Sequence, residues 1–198
     1  RDDELEAAIA AGVTLNCESE GEGARSIAIG QRLGKAPRIA IRVNPSFEMK
    51  GSGMKMGGGA KQFGVDAERV PDLARHLIAE GAEWRGLHIF TGSQTLSADA
   101  IIEAQGNVLD LAAQLTDSIG HGCPKLNMGG GLGIPYFPGD TPVDLARVGA
   151  ALAASRSQLD TATTLGWISA VVGCLLVVEY GFLEPLKREV ERWREAPR

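Results

Sequence analysis

Two short apolar runs in this chain end in small and hydroxyl-bearing residues of the kind that hold a phosphate. The first is Gly86-Leu87-His88-Ile89-Phe90-Thr91-Gly92-Ser93-Gln94, and the second is Lys125-Leu126-Asn127-Met128-Gly129-Gly130-Gly131-Leu132-Gly133-Ile134-Pro135-Tyr136. Each reads as a buried strand that stops at a glycine-rich turn. A turn without Cβ atoms lets backbone N–H groups approach an anion closely, and Ser93 adds a hydroxyl. Two such turns with a helical stretch between them point to a β/α barrel that holds a phosphorylated ligand at the C-terminal ends of its strands. The triple glycine alone is equally well explained as an ordinary tight strand-to-helix turn. The Ser93 turn beside it shifts the balance toward phosphate.

The elements that must position these turns follow from hydrophobic periodicity and punctuation. Asp2 to Ala11 reads as a short helix closed by Gly12, followed by a strand over Val13 to Cys17. Ser19 with Glu22 reads as the capping box of a helix that turns Ala24, Ile27, Ala28 and Leu33 inward and ends at Gly34. Arg38 to Val43 is a strand ended by Asn44-Pro45, and residues 46–62 form a long polar, glycine-rich loop. Pro71 opens a helix running to about Glu80, Gly81 ends it, and the strand at 86–90 follows. A helix over Ala98 to Ile119, the strand at 125–128 and a helix from Asp144 to about Leu159 complete the pattern. Strands alternating with helices imply an α/β fold with a parallel sheet and βαβ crossovers. A complete eight-unit barrel takes ~250 residues. The expected fold class is therefore a partial (β/α)8 TIM-type barrel, followed by an apolar helix or strand and a charged C-terminal helix.

Composition narrows the class further. In 198 residues, 44% hydrophobic and 23% charged residues describe a largely globular chain, and a net charge of −5 argues against nucleic acid as a partner. The 26 glycines exceed the usual ~7% and cluster at 51–59 and 129–133, which makes them positional. Cys17, Cys123 and Cys174 are widely spaced, and no His or Cys pair falls at ligand spacing. That pattern disfavours a disulfide framework and a metal site and favours a reducing, cytoplasmic location. The chain opens directly in a helical pattern without Met, so it is expected to be a piece of a longer protein.

Residues 1–153 resemble the pyridoxal-phosphate-dependent amino-acid decarboxylases of the alanine-racemase-like barrel fold, the family of diaminopimelate and ornithine decarboxylases. The resemblance rests on Leu15-Asn16-Cys17-Glu18-Ser19-Glu20, Ala40-Ile41-Arg42-Val43-Asn44-Pro45, the stretch from Gly53 to Val65, and the two runs above, all in family order. The subgroup most similar is the exosortase A system-associated type. The resemblance implies that the strands are barrel strands four to seven, that pyridoxal 5'-phosphate is the cofactor, and that Ser93, Gly129, Gly130 and Gly131 hold its phosphate. Phe90 stands where most of the family has a histidine stacked on the pyridine ring. An aromatic ring still stacks there but neither donates a hydrogen bond nor titrates; a plain core phenylalanine is the alternative. His88, two residues earlier on the same strand face, is assigned a supporting role. Arg42 matches an arginine near the cofactor, with a strand-end salt bridge as the competing reading. Gln62 occupies a position that is often lysine in relatives, and the loop at 51–60 is expected to cover the site.

The resemblance also implies absences. The family's Schiff-base lysine lies on barrel strand one, and no lysine here falls on a matching motif, so no catalytic residue is assigned and the chain is expected to be inactive alone. Glu179-Tyr180-Gly181-Phe182 imitates a strand-eight motif, with Phe in place of Arg. Residues 154–198 are expected to be foreign to the barrel: Gln158 to Ala162, the uncharged run Leu165 to Val178 and the stretch through Arg194 resemble the end of a nitrate/taurine-type ABC transporter permease. A membrane role rests on 164–183 alone, since a span needs ~20 apolar residues. The expected partner is a small-molecule amino-acid substrate, and full-length relatives are expected to be homodimers. The rival readings are a non-enzymatic pyridoxal-phosphate-binding barrel and a membrane-anchored composite.

Overall fold

The computed structural model describes residues 1–48, 54–55, 63–155 and 184–185. The chain divides into two compact units, Arg1–Asp160 and Thr161–Arg198. In the second, Glu184 and Pro185 are helical; the expected apolar segment at 164–183, the Glu179–Phe182 motif and most of the charged helix lie outside the described residues.

The first unit is a run of β/α repeats. Helix α1 (Asp2–Ala10) leads to β1 (Thr14–Cys17), α2 (Glu20–Leu33), β2 (Arg38–Asn44), β3 (Met54–Lys55) and β4 (Val65–Asp66). A 3-10 turn (Ala67–Arg69), α3 (Val70–Ala79), β5 (Glu83–Ile89), β6 (Gly92–Ser93), α4 (Ala98–Ile119), β7 (Leu126–Asn127) and α5 (Leu145–Ala154) follow. The main sheet is parallel with order β1-β2-β5-β7, and β4 adds to the end of β2. Strands that are neighbours in both sequence and space, each separated by a helix, are the repeat of a β/α barrel.

Local chemistry explains the boundaries. Ser19 Oγ accepts from the Glu22 N–H at 3.2 Å to cap α2, Ser97 does the same for α4, and Asp144 for α5. Left-handed Gly34 and Gly120 end α2 and α4. Lys35 Nζ donates to the Ala10 carbonyl at 2.6 Å and Arg38 Nη1 to the Gly12 carbonyl at 2.9 Å, placing cations where the α1 dipole is negative.

The core lies between the sheet and its helices. Ile39 and Ile41 of β2, Leu87 and Ile89 of β5 and Leu126 of β7 share one sheet face. Helix α4 meets that core with Val108, Leu109, Ala112, Leu115 and Ile119, an amphipathic stripe at helical spacing. Each fully buried Ile or Leu contributes about 1.5–3 kcal/mol.

Two local expectations are corrected. Helix α2 turns Gly23, Ser26, Ile27, Ile29 and Gly30 inward and leaves Ala24 and Ala28 exposed. A Cβ on Gly23 would lie 2.9 Å from Leu77 Cδ2, so close approach, not hydrophobicity, sets this face. Strand β5 begins at Glu83 rather than at Gly86, and its register against β2 slips between Ile39/Ala40, leaving Arg85 as the extra residue of a bulge. Gly86, at φ +116°, makes the bulge possible: a Cβ there would overlap the Lys125 carbonyl. In the sequence a glycine at this place looks like a strand boundary.

Candidate functional site

The bulge in β5 decides what the inner sheet face presents. Past it, Leu87 and Ile89 enter the core while His88 faces the other way, in register with Arg42 of β2 on one side and Asn127 of β7 on the other. Cys17 pairs with Ile41, so Glu18 comes abreast of Arg42. A polar row, Glu18, Arg42, His88 and Asn127, therefore crosses the sheet near the C-terminal ends of four successive strands.

One pair within the row is bonded directly. Arg42 Nη1 donates to Glu18 Oε1 at 2.8 Å, with the arginine side chain 16% and the glutamate 35% exposed. The Phe63 ring lies under the same guanidinium, 5.3 Å from its centroid to Cζ, a cation–π contact. The backbone N–H of Glu18 donates to Glu22 Oε2 at 2.8 Å, tying this strand end to the first turn of α2. His88 Nδ1 is buried without a hydrogen-bond partner among the described residues. Burial, and next the Arg42 charge, hold its pKa below the ordinary histidine value, while Glu18 pulls the other way. The imidazole is thus kept neutral beside a guanidinium.

Beyond the row lie the two turns. Asn127 Oδ1 accepts from the Gly129 N–H at 2.9 Å, an Asx turn that starts the glycine loop. Gly129 and Gly131 both have positive φ, and a Cβ on Gly131 would overlap the Gly92 carbonyl oxygen. Only glycine fits where the two turns touch. The Phe90 ring packs against Gly129, at the mouth of the row. Ser93 lies in β6, which pairs antiparallel with β3, so part of the expected long loop crosses beside the Ser93 turn. Thr95, fully buried, bridges to Leu132: its N–H donates to the Gly131 carbonyl at 3.0 Å, and the Gly133 N–H donates back to its carbonyl at 2.9 Å.

The structure thus brings Ser93, Gly129, Gly130, Gly131, Phe90, His88 and Arg42 to one end of the sheet. The salt bridge expected as the plain reading of Arg42 is present, and the same residue faces the row. Residue type alone gives no site role to Glu18, Phe63, Gln94 or Asn127. Their partners lie in other strands and turns, and only register discloses them. Gln62 and most of the loop at 51–60 lie outside the described residues. A separate cleft of about 650 Å³, lined by Asn44, Pro45, Asp66, Pro71, Leu111 and Leu115 among others, shares no residue with the row or the turns. Among the described residues no group of three His, Cys, Asp or Glu could hold a metal, and no helix is long and apolar enough to cross a membrane.

Parallel strands alternating with helices, with a polar row and paired glycine turns at their C-terminal ends, define a partial β/α barrel. The chain belongs to the pyridoxal-dependent decarboxylase family: its residues 1–166 match the family's pyridoxal binding domain. The cofactor that goes with this domain is pyridoxal phosphate.

Relatives agree with that assignment. The chain is 34% identical over 149 residues to the L-glutamyl-[BtrI acyl-carrier protein] decarboxylase of Niallia circulans, an alignment covering 73% of this chain and 34% of that protein. It is 40% identical over 139 residues to the diaminopimelate decarboxylase of Aquifex aeolicus, covering 67% and 32%. The diaminopimelate decarboxylase of Methanocaldococcus jannaschii in complex with L-lysine superposes with a TM-score of 0.69 at 25% identity, over 81% of this chain and 39% of that one. The Helicobacter pylori enzyme, also complexed with L-lysine, gives 0.68 at 26% identity, over 82% and 41%. The chain spans about a third of the length of the curated relatives it matches.

The residues present fit the phosphate end of that cofactor. At Gly130 nothing lies within 4 Å of a built Cβ, so the loop offers open space lined by backbone, and the neighbouring Ser93 carries a hydroxyl, a donor of the kind that suits a phosphate oxygen.

Proposed function

We propose that this chain is the phosphate-binding portion of a decarboxylase barrel that removes the carboxylate of an amino acid. The observation that carries the proposal is the pair of interlocked turns at the ends of β5 and β7. Ser93 and the N–H groups of Gly130 and Gly131 hold the phosphate, Gly129 anchors the loop through its N–H bond to Asn127, and Phe90 covers one face of the ring. Arg42, fixed by Glu18 and Phe63, and neutral His88 form the polar floor beneath it. Pyridoxal phosphate, when bound, supplies an acceptor for the electron pair left as CO2 departs. The residues here orient it and keep a cation and a neutral imidazole, rather than a second cation, under it. The covalent lysine is supplied from outside this chain, so the chain binds the cofactor without turnover.

The test is titration of the full chain with pyridoxal 5'-phosphate, followed by quenching of Trp fluorescence, with inorganic phosphate as competitor. Saturable, phosphate-competed binding without release of CO2 from supplied amino acids is expected. Turnover by the chain alone would overturn the assignment of the lysine elsewhere; failure to bind would overturn the phosphate site.

We further propose that the chain is of the exosortase A system-associated type, and that 154–198 is a separate, permease-like piece rather than barrel. The family match runs to residue 166 and the first compact unit to Asp160, so a junction supported by these two falls after residue 160 rather than at 154. Sequencing the genomic reading frame through this junction tests it: a barrel strand eight continuing in frame from about residue 153 would refute it.

A further inference from the structure

Gln94 is, among the described residues, the non-glycine residue with positive φ, at 59°. L residues rarely hold that region, and where they do the surrounding structure must impose it. The chain changes partners at this point. Ser93 pairs antiparallel with Met54, whereas Thr95 pairs in parallel with Leu132 of the glycine turn. In a continuous extended strand, residues 93 and 95 would face the same way. A left-handed residue between them lets each serve a different neighbour. The Gln94 side chain then crosses the same gap: its Oε1 accepts from the Ile134 N–H at 3.4 Å, and its Nε2 donates to the Tyr136 hydroxyl at 3.1 Å.

We infer that Gln94 is a positioning residue that couples the Ser93 turn to the Gly129–Gly133 turn and so sets the width of the cradle for a phosphate dianion. The inference rests on the phosphate-site reading above. Backbone bonds through Thr95 hold the turns together; Gln94 adds a second tie further along the glycine loop, through Ile134 and Tyr136, and fixes the direction in which Ser93 leaves the strand. Gln94 itself does not touch the ligand.

The experiment uses the full chain with inorganic phosphate and pyridoxal 5'-phosphate as probes, comparing Gln94→Gly, Tyr136→Phe, their combination and Ser93→Ala. Glycine relieves the backbone at 94 while removing both side-chain bonds. The thermal midpoint is therefore expected to hold while affinity for both probes falls about tenfold. Tyr136→Phe is expected to weaken binding about twofold to threefold and to add nothing in the Gln94→Gly background, the signature of one shared interaction. Without ligand, hydrogen exchange at the Ile134 amide should quicken in Gln94→Gly while that at Thr95 stays slow. If Ser93→Ala abolishes binding and Gln94→Gly keeps it within about twofold, Gln94 has no positioning role although the site stands. A loss of affinity matched by a drop in thermal midpoint also overturns the inference, by making Gln94 a general support. An unaltered chain that binds neither probe overturns both the site reading and this inference.

Discussion

Replacing Gly131 by Ala should separate the two turns. The residue sits at φ +87°, and a Cβ built on it falls closer than 3.0 Å to the Gly92 carbonyl oxygen, which is backbone and has no rotamer to yield. Left-handed backbone costs an L residue roughly 1–2 kcal/mol, and forcing an added methyl into a packed contact costs about 1–3 kcal/mol. The sum is ~3 kcal/mol, a large part of the 5–15 kcal/mol typical of a whole domain. With a urea slope of about 2 kcal/mol per molar, the unfolding midpoint of the full chain should fall by ~1.5 M. Gly130→Ala is the matched control, one residue away, with nothing within 4 Å of its built Cβ and no positive φ. Its midpoint should stay within the equivalent of ~0.5 kcal/mol or rise slightly, since Ala restricts the unfolded chain. Equal midpoints for the two variants would refute the claim that the turns meet at Gly131 and Gly92 with no room for a Cβ.

His88 should make stability depend on pH. Its folded-state pKa lies below the ordinary value, so below ~6.5 the unfolded chain takes a proton that the folded chain resists. Stability should then fall as pH drops through that point and level off once pH passes below the folded-state value. Urea midpoints between pH 7.5 and pH 5 should show this decline in the wild-type chain and a shallower one in His88→Asn; parallel profiles would contradict a buried neutral imidazole. Ser19→Ala should cost about 1 kcal/mol by uncapping α2, with Ser19→Asp restoring most of it, read from the same unfolding curves. No difference among the three would mean that the Ser19 hydroxyl does not secure the helix.

Much of this architecture is legible in the residues because local forces set it. Helix α4 runs from Ala98 to Ile119 as its periodicity and terminal Gly120 predict. Ser19, with Glu22 behind it, marks the start of α2. Alternation of strands with helices sets the parallel sheet, since a crossover helix of this length leaves little other choice. The inner face of α2 is hidden from periodicity because Gly23 and Gly30 carry no hydrophobic signal, although their smallness lets the helix sit against Leu77 and Pro37. The start of β5 is hidden as well, because a bulge at Arg85 interrupts the alternation that identifies a strand.

The candidate site divides along the same line. Glycine turns and the hydroxyl of Ser93 announce themselves by residue type, because the conformations and close approaches they permit belong to single residues. The polar row does not. Glu18 and Arg42 stand far apart in the chain, and His88 and Asn127 belong to two further strands. Only parallel register, shifted by one bulge, lines them up. Which face of β5 looks inward, what keeps His88 neutral and which residue ties the two turns together are properties of pairing between strands. Tertiary structure alone decides them, because a one-residue change in register reverses every side chain beyond it.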